Sequence, residues 1–244
     1  MLLEKNDIDP GRADKKGQTP FSWAAGNGKK GIVQLLLERN DIDPHRADWD
    51  GRTPFSFAAG SGREGIVALL LERNDIDPDR ADSDARTPLL WAAKNGCEAT
   101  VRILIARKDV NPDRADYYGR TPFYWAAGNG HRKIVELLLE RTDVNPDRAD
   151  SDGRTPISWA ADYGHEVIVK MLLDRNDINP DRADDYGRTL FSLAVERGHV
   201  HVVKLLEERR NLIVKSTAMD ESSKAIARGL PQPSERPFKR VRLF

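Results

Sequence analysis

Residues 51–82 read GRTPFSFAAGSGREGIVALLLERNDIDPDRAD, and residues 119–150 read GRTPFYWAAGNGHRKIVELLLERTDVNPDRAD. They are one unit written twice. The Thr-Pro pair that opens the helical part recurs at Thr19-Pro20, Thr53-Pro54, Thr87-Pro88, Thr121-Pro122 and Thr155-Pro156, and a sixth copy reads Thr189-Leu190, each 34 residues after the last. A fixed period of this length means a stacked array, because each unit is one small motif that cannot bury its apolar face alone.

The unit has a physical reading of its own. Thr53 caps a helix start with its hydroxyl, Pro54 fits the first helical position where no amide partner is needed, and Phe55, Ala58 and Ala59 share a face. This predicts a short first helix ending at Gly60-Ser61-Gly62. A second follows from about Arg63 to Arg73, where Ile66, Val67, Leu69, Leu70 and Leu71 make an apolar arc too wide for a lone surface helix. Neighbouring copies must cover it. Asn74-Asp75 tolerates a left-handed stop, Pro78 prevents continuation, and Asp82-Ser83-Asp84 leads into the next turn.

The recurring pattern G-R-T-P-x-x-x-A-A-x-x-G-x-x-x-I-V-x-L-L-L-E resembles the ankyrin repeat, from about residue 11 to 210. Two departures stand out: Thr-Pro-Phe-Ser stands where the family has Thr-Pro-Leu-His, and the unit is one residue longer than the usual 33. The 34-residue style is similar to arrays carried by large signalling proteins with NACHT-type nucleotide-binding domains. The resemblance implies an all-α ankyrin-repeat solenoid of six helix-turn-helix repeats, joined by extended loops and β-turns. Its helix pairs are expected near 19–39, 53–73, 87–107, 121–141, 155–175 and 189–209.

The expected organisation is a remnant of a preceding repeat over 1–10, the array over 11–213, and a disordered basic tail over 214–244. Leu2-Leu3-Glu4-Lys5-Asn6-Asp7 matches Leu36-Leu37-Glu38-Arg39-Asn40-Asp41 in register, so the chain opens partway along a second helix. Two readings follow: Lys15, Lys16, Lys29 and Lys30 make the first full copy a soluble cap, or the chain is the C-terminal part of a longer array. Glu207, where the other copies carry Leu or Ile, is the polar residue expected of a closing repeat.

Composition narrows the function classes. The 244 residues carry 39 basic and 39 acidic side chains, with a mean hydropathy of −0.61. No run approaches the roughly 18 apolar residues of a membrane span. A single cysteine, Cys97, allows no internal disulfide and suits a reducing compartment, so the cytoplasm is the expected location. Residues 215–244 hold seven basic and three acidic residues, which leaves the body at −4 and without a broad basic face for nucleic acid.

Positions that never vary between copies are most simply explained by stacking. One glycine column, which includes Gly51 and Gly119, marks a turn needing positive φ, and the third copy has Ala85 there, predicting local strain. Two arginine columns, one through Arg46 and Arg80 and the other through Arg52 and Arg120, have acidic neighbours in phase and read as a ladder of ion pairs. His131, His165 and His199 sit a repeat apart, far beyond the roughly 2 Å reach of zinc coordination, and read as structural. Trp23, Trp91, Trp125 and Trp159 recur at one place and read as packing.

No nucleophile elbow, phosphate loop, HExxH helix or EF-hand occurs, so no catalytic residue, metal or cofactor is expected. The varying positions point instead to partner binding. Trp49, Tyr117, Tyr118, Tyr124, Tyr163 and Tyr186 are absent from the matching places of most copies, and Tyr and Trp bury large area at little rotamer cost. The competing reading is that the aromatics at the turn tips pack sideways on one another.

In the tail, Lys239, Arg240 and Arg242 resemble a short nuclear-import signal, which sets the nucleus beside the cytoplasm as a location. The sequence thus points to a non-enzymatic module or scaffold that binds a protein partner on its concave face, with no small-molecule substrate and no membrane. Two alternatives stand beside it. One is a C-terminal sensor or fragment of a larger NACHT-type NTPase; the other is a nuclear regulator whose basic tail contacts nucleic acid.

Overall fold

The computed structural model describes residues 9–227 and shows a linear stack of helix pairs. The pairs are α1 (Pro20–Gly26) with α2 (Lys30–Leu37), α3 (Pro54–Gly60) with α4 (Glu64–Leu71), and α5 (Pro88–Lys94) with α6 (Glu98–Ile105). They continue as α7 (Pro122–Gly128) with α8 (Arg132–Leu139), α9 (Pro156–Asp162) with α10 (Glu166–Leu173), and α11 (Leu190–Glu196) with α12 (Val200–Ala227). Among the described residues there is no named strand, only an isolated bridge between Ala183 and Thr189.

Each first helix starts for the same reason. In α3, Thr53 Oγ1 accepts the amide of Ser56 at 3.1 Å while Pro54 occupies the first turn, and α5 and α7 repeat this with Thr87 and Thr121. The capping oxygen satisfies an amide that helix geometry leaves without an internal partner. A positive-φ glycine such as Gly62 (φ 66°) then reverses the chain into the second helix. Ala58, Ala59, Ala92, Ala93, Ala126 and Ala127 are fully buried between successive first helices. These small side chains let the first helices approach one another more closely than the second helices do, so the stack curves with the first helices on its inner side.

The second helices fill the outer row. Ile66, Val67 and Leu70 of α4 are buried, and each such burial is worth roughly 1.5–3 kcal/mol. Thr100 occupies the Ile66 position in the third copy, and its buried hydroxyl has no hydrogen-bond partner among the described residues.

The expected C-terminal boundary is corrected. α12 runs through to Ala227, so residues 214–227 are helical where the loss of period predicts disorder. The period is a signal of stacking, whereas residues such as Ala225, Ile226 and Ala227 need only their own backbone ladder to continue a helix already started at Val200. The remnant at 1–8 and the proposed import signal at Lys239, Arg240 and Arg242 lie outside the described residues.

Candidate protein-binding surface

The turn tips are tied into a row by backbone hydrogen bonds between copies. Trp49 N donates to Lys16 O at 3.0 Å, Ser83 N to Asp50 O at 2.9 Å, Tyr117 N to Asp84 O at 3.1 Å and Ser151 N to Tyr118 O at 2.8 Å. Each turn is also closed from within. Asp48 Oδ1 accepts the amides of Asp50 and Arg52, and Asp116 Oδ1 accepts those of Tyr118 and Arg120. A tip fixed at both levels gives its side chains one starting position, which is what a preorganised contact surface needs.

Five of the six expected anchors are exposed, four of them on these tips and Tyr163 at the C-terminal end of α9. Trp49, Tyr117, Tyr118, Tyr163 and Tyr186 are between 53% and 73% exposed. Tyr124 is a correction: it is 1% exposed, and its hydroxyl is committed to Asp150. It stands where the copy before has the buried Leu90 and the copy after has Ser158, on the face of the first helix that packs inward, so its ring is a core filler and not a contact residue. The sideways-packing reading holds only in part. The Trp49 ring lies over the Gly17 turn, where a Cβ would come within 2.9 Å of it, yet most of the ring remains open.

Behind the tips the first helices expose a floor of alternating rings and cations. Arg52 stands 4.1 Å from the Phe57 centroid and 4.3 Å from that of Trp91, and Lys94 lies 4.1 Å from that of Trp125. Arg120 joins tip to floor, 4.5 Å from the Tyr118 ring and 4.6 Å from the Trp125 ring. Trp125 meets Trp159 at 6.4 Å, and Trp159 stacks on Tyr163 at 5.1 Å. Two indoles are also pinned by hydrogen bonds, Trp91 Nε1 to Asp82 and Trp125 Nε1 to Asp116. Trp23 is the most open of the indole column, because no described copy stands before it to supply a covering side chain.

The cations form the expected ladder of ion pairs in part, and make further contacts that the columns did not announce. Arg46, Arg80, Arg114, Arg148 and Arg182 reach back 35 residues to a backbone carbonyl of the preceding copy, as in Arg148 Nη1 to Asp113 O at 3.0 Å. The acidic residue two places on serves the turn, and the ion pairs of this column run between copies instead: Arg148 with Asp113 at 3.1 Å, Arg182 with Asp147 at 3.4 Å and Arg114 with Asp79 at 3.9 Å. In the other column Arg86 pairs with Asp84 at 2.7 Å, Arg120 with Asp116 at 3.2 Å, Arg154 with Asp162 at 2.7 Å and Arg188 with Asp184 at 2.8 Å, while most also lie over rings. The sequence columns gave no sign of this stacking, because Arg52 and Trp91 sit in different copies and different columns.

The histidines are structural in the sense expected. His131, His165 and His199 meet the carbonyl oxygens of Lys94, Gly128 and Asp162 at 3.1, 2.9 and 2.8 Å, each bridging to the copy before. Among the described residues no group of three or more His, Cys, Asp or Glu side chains could hold a metal ion, and no helix is long and apolar enough to cross a membrane. Burial pushes the Cys97 thiol up.

A family model described as ankyrin repeats matches the chain in three copies, over residues 1–82, 74–150 and 142–216. No curated protein matches the sequence.

Proposed function

The chain belongs to the ankyrin-repeat family, and from that premise we propose that it binds a partner protein on the inner side of its curve, through the tip aromatics and the ring-lined floor behind them. Arrays of this family are in general protein–protein interaction modules and are typically non-enzymatic. The observation that carries the reading is the exposure of Trp49, Tyr117, Tyr118 and Tyr163 on turns and helix ends fixed by backbone and ring contacts. Large rings held open in water offer area that a partner can bury with little loss of freedom. The mechanism is rigid display: the stack forms before the partner arrives, so little ordering entropy opposes binding.

The test is quantitative affinity purification from native cell extract, comparing the wild type with a combined Trp49→Ala, Tyr117→Ala, Tyr118→Ala and Tyr163→Ala variant of matched helicity. Specific partners are expected to vanish with the aromatics. Their persistence would move the function to the convex face or the tail. We place the working protein in the cytoplasm, in keeping with its single, half-buried cysteine.

A further inference from the structure

Five cations stand over the rings of the inner floor: Arg52, Arg86, Lys94, Arg120 and Arg154. Arg86, Arg120 and Arg154 are each neutralised by an aspartate of the array. Arg52 and Lys94 have no ion-pair partner among the described residues. Arg52 is inserted between the Phe57 and Trp91 rings with its Nε buried, which leaves Lys94 as the more accessible cation without an ion pair.

Lys94 is also out of step with the repeat. The matching places hold Gly26, Gly60, Gly128, Asp162 and Glu196, so stacking does not require a cation there. Its ammonium lies 5.2 Å from the Trp91 centroid and 4.1 Å from that of Trp125. Burial, followed by the charges of Arg86 and Arg120, holds its pKa below the usual lysine value and outweighs the opposing pull of Asp116 and Asp82.

We propose that Lys94 is the point at which the inner face reads its partner, and that it takes the carboxylate of an Asp or Glu in an acidic segment whose neighbouring side chains lie on the Trp91 and Trp125 rings. The proposal rests on the protein-binding reading above and adds the chemistry of the occupant. A single accessible charge matches one monoanionic carboxylate, whereas a phosphate dianion would call on arginines already committed to aspartates. The body as a whole is acidic, so the contact acts as local complementarity and not as long-range steering.

The experiment pans a phage-displayed library of random twelve-residue peptides against the full chain, Lys94→Gly and Lys94→Glu. Glycine is what three other copies carry at this place, so Lys94→Gly is expected to keep the wild-type circular dichroism and melting. The wild type is expected to select peptides sharing one Asp or Glu at a fixed distance from apolar residues. Changing that acid to its amide in the leading synthetic peptide should weaken binding about tenfold against the wild type and leave binding to Lys94→Gly unchanged. Lys94→Glu should select Lys or Arg at the same place. Selected peptides without a fixed acid, or a fixed acid that survives Lys94→Gly, overturn the proposal while leaving the protein-binding reading standing. Selection of no peptide overturns it as well, and partners that also persist on the aromatic variant remove both.

Discussion

The Tyr124 hydroxyl donates to Asp150 Oδ2 at 2.5 Å, tying the first helix of the fourth copy to the turn of the fifth across 26 residues of chain. The same carboxylate holds its turn closed, with Oδ1 accepting the amides of Asp152 and Arg154. One aspartate therefore fixes both the shape of a tip and its position against the copy before.

Tyr124→Phe removes this bond at nearly constant volume and is expected to cost about 1–2 kcal/mol in urea unfolding. Burial first, and then Asp150, raise the phenol far above its ordinary range. A group whose pKa is raised by folding stabilises fully below its unfolded pKa of about 10 and loses that contribution as pH rises beyond it. Between pH 10 and 11 the wild type should thus lose about 1 kcal/mol that Tyr124→Phe does not. Parallel alkaline unfolding curves for the two proteins would contradict this.

Ala85 has φ 62° and is the one described non-glycine residue at positive φ, in the turn where other copies carry glycine. The left-handed region costs an L side chain roughly 1 kcal/mol, so Ala85→Gly should stabilise by about that much and raise the melting temperature by a few degrees. An unchanged or lower melting temperature would show that the turn accommodates the methyl without strain.

Thr100 is fully buried, and its hydroxyl has no partner, at the place where other copies carry Ile66, Ile134 and Ile168. Thr100→Val keeps the branched shape and removes the unsatisfied oxygen, and is expected to stabilise by about 1 kcal/mol in chemical denaturation. A destabilised variant would mean that the hydroxyl is bonded in solution.

Asp162 sits between Arg154 at 2.7 Å and Arg197 at 2.8 Å, with its side chain buried. Burial opposes its ionisation, but the two arginines outweigh burial and hold its carboxyl below the usual range. Folding lowers this pKa, so the stability it brings is present above the unfolded value of about 3.9 and is lost as pH falls through the folded one. Asp162→Asn should cost about 2 kcal/mol at pH 7 and show a shallower loss of stability below pH 4, which acid unfolding would read directly. Equal stability at neutral pH would place the pair among contacts that contribute nothing measurable.

Much of this was legible because it is local or periodic. The Thr53 cap, the Pro54 first turn and the buried pair Ala58 and Ala59 follow from residue chemistry within one unit, and six repeats in phase multiply the signal. The strained turn at Ala85 was legible for the same reason, as an exception to a column of glycines. Tyr124 was misjudged because variation between copies marks both contact residues and local core substitutions, and only the facing side of α7 separates the two. The helix past residue 213 was missed because a helix can outlast the stacking pattern that announces it.

The sequence by itself determined the unit, its period, the caps and turns, and hence the stacked helical architecture, since those depend on neighbours within a few residues or on a repeat that makes every copy a witness for the others. The tertiary structure decided which side chain faces which between copies: that Arg148 reaches back to Asp113 O, that Arg52 lies against Trp91, and that Lys94 lies over Trp125. Those contacts join different columns between 31 and 39 residues apart, and their existence depends on the angle and spacing at which one copy settles on the next. That geometry comes from the packing of small side chains between the first helices and leaves no period of its own in the chain.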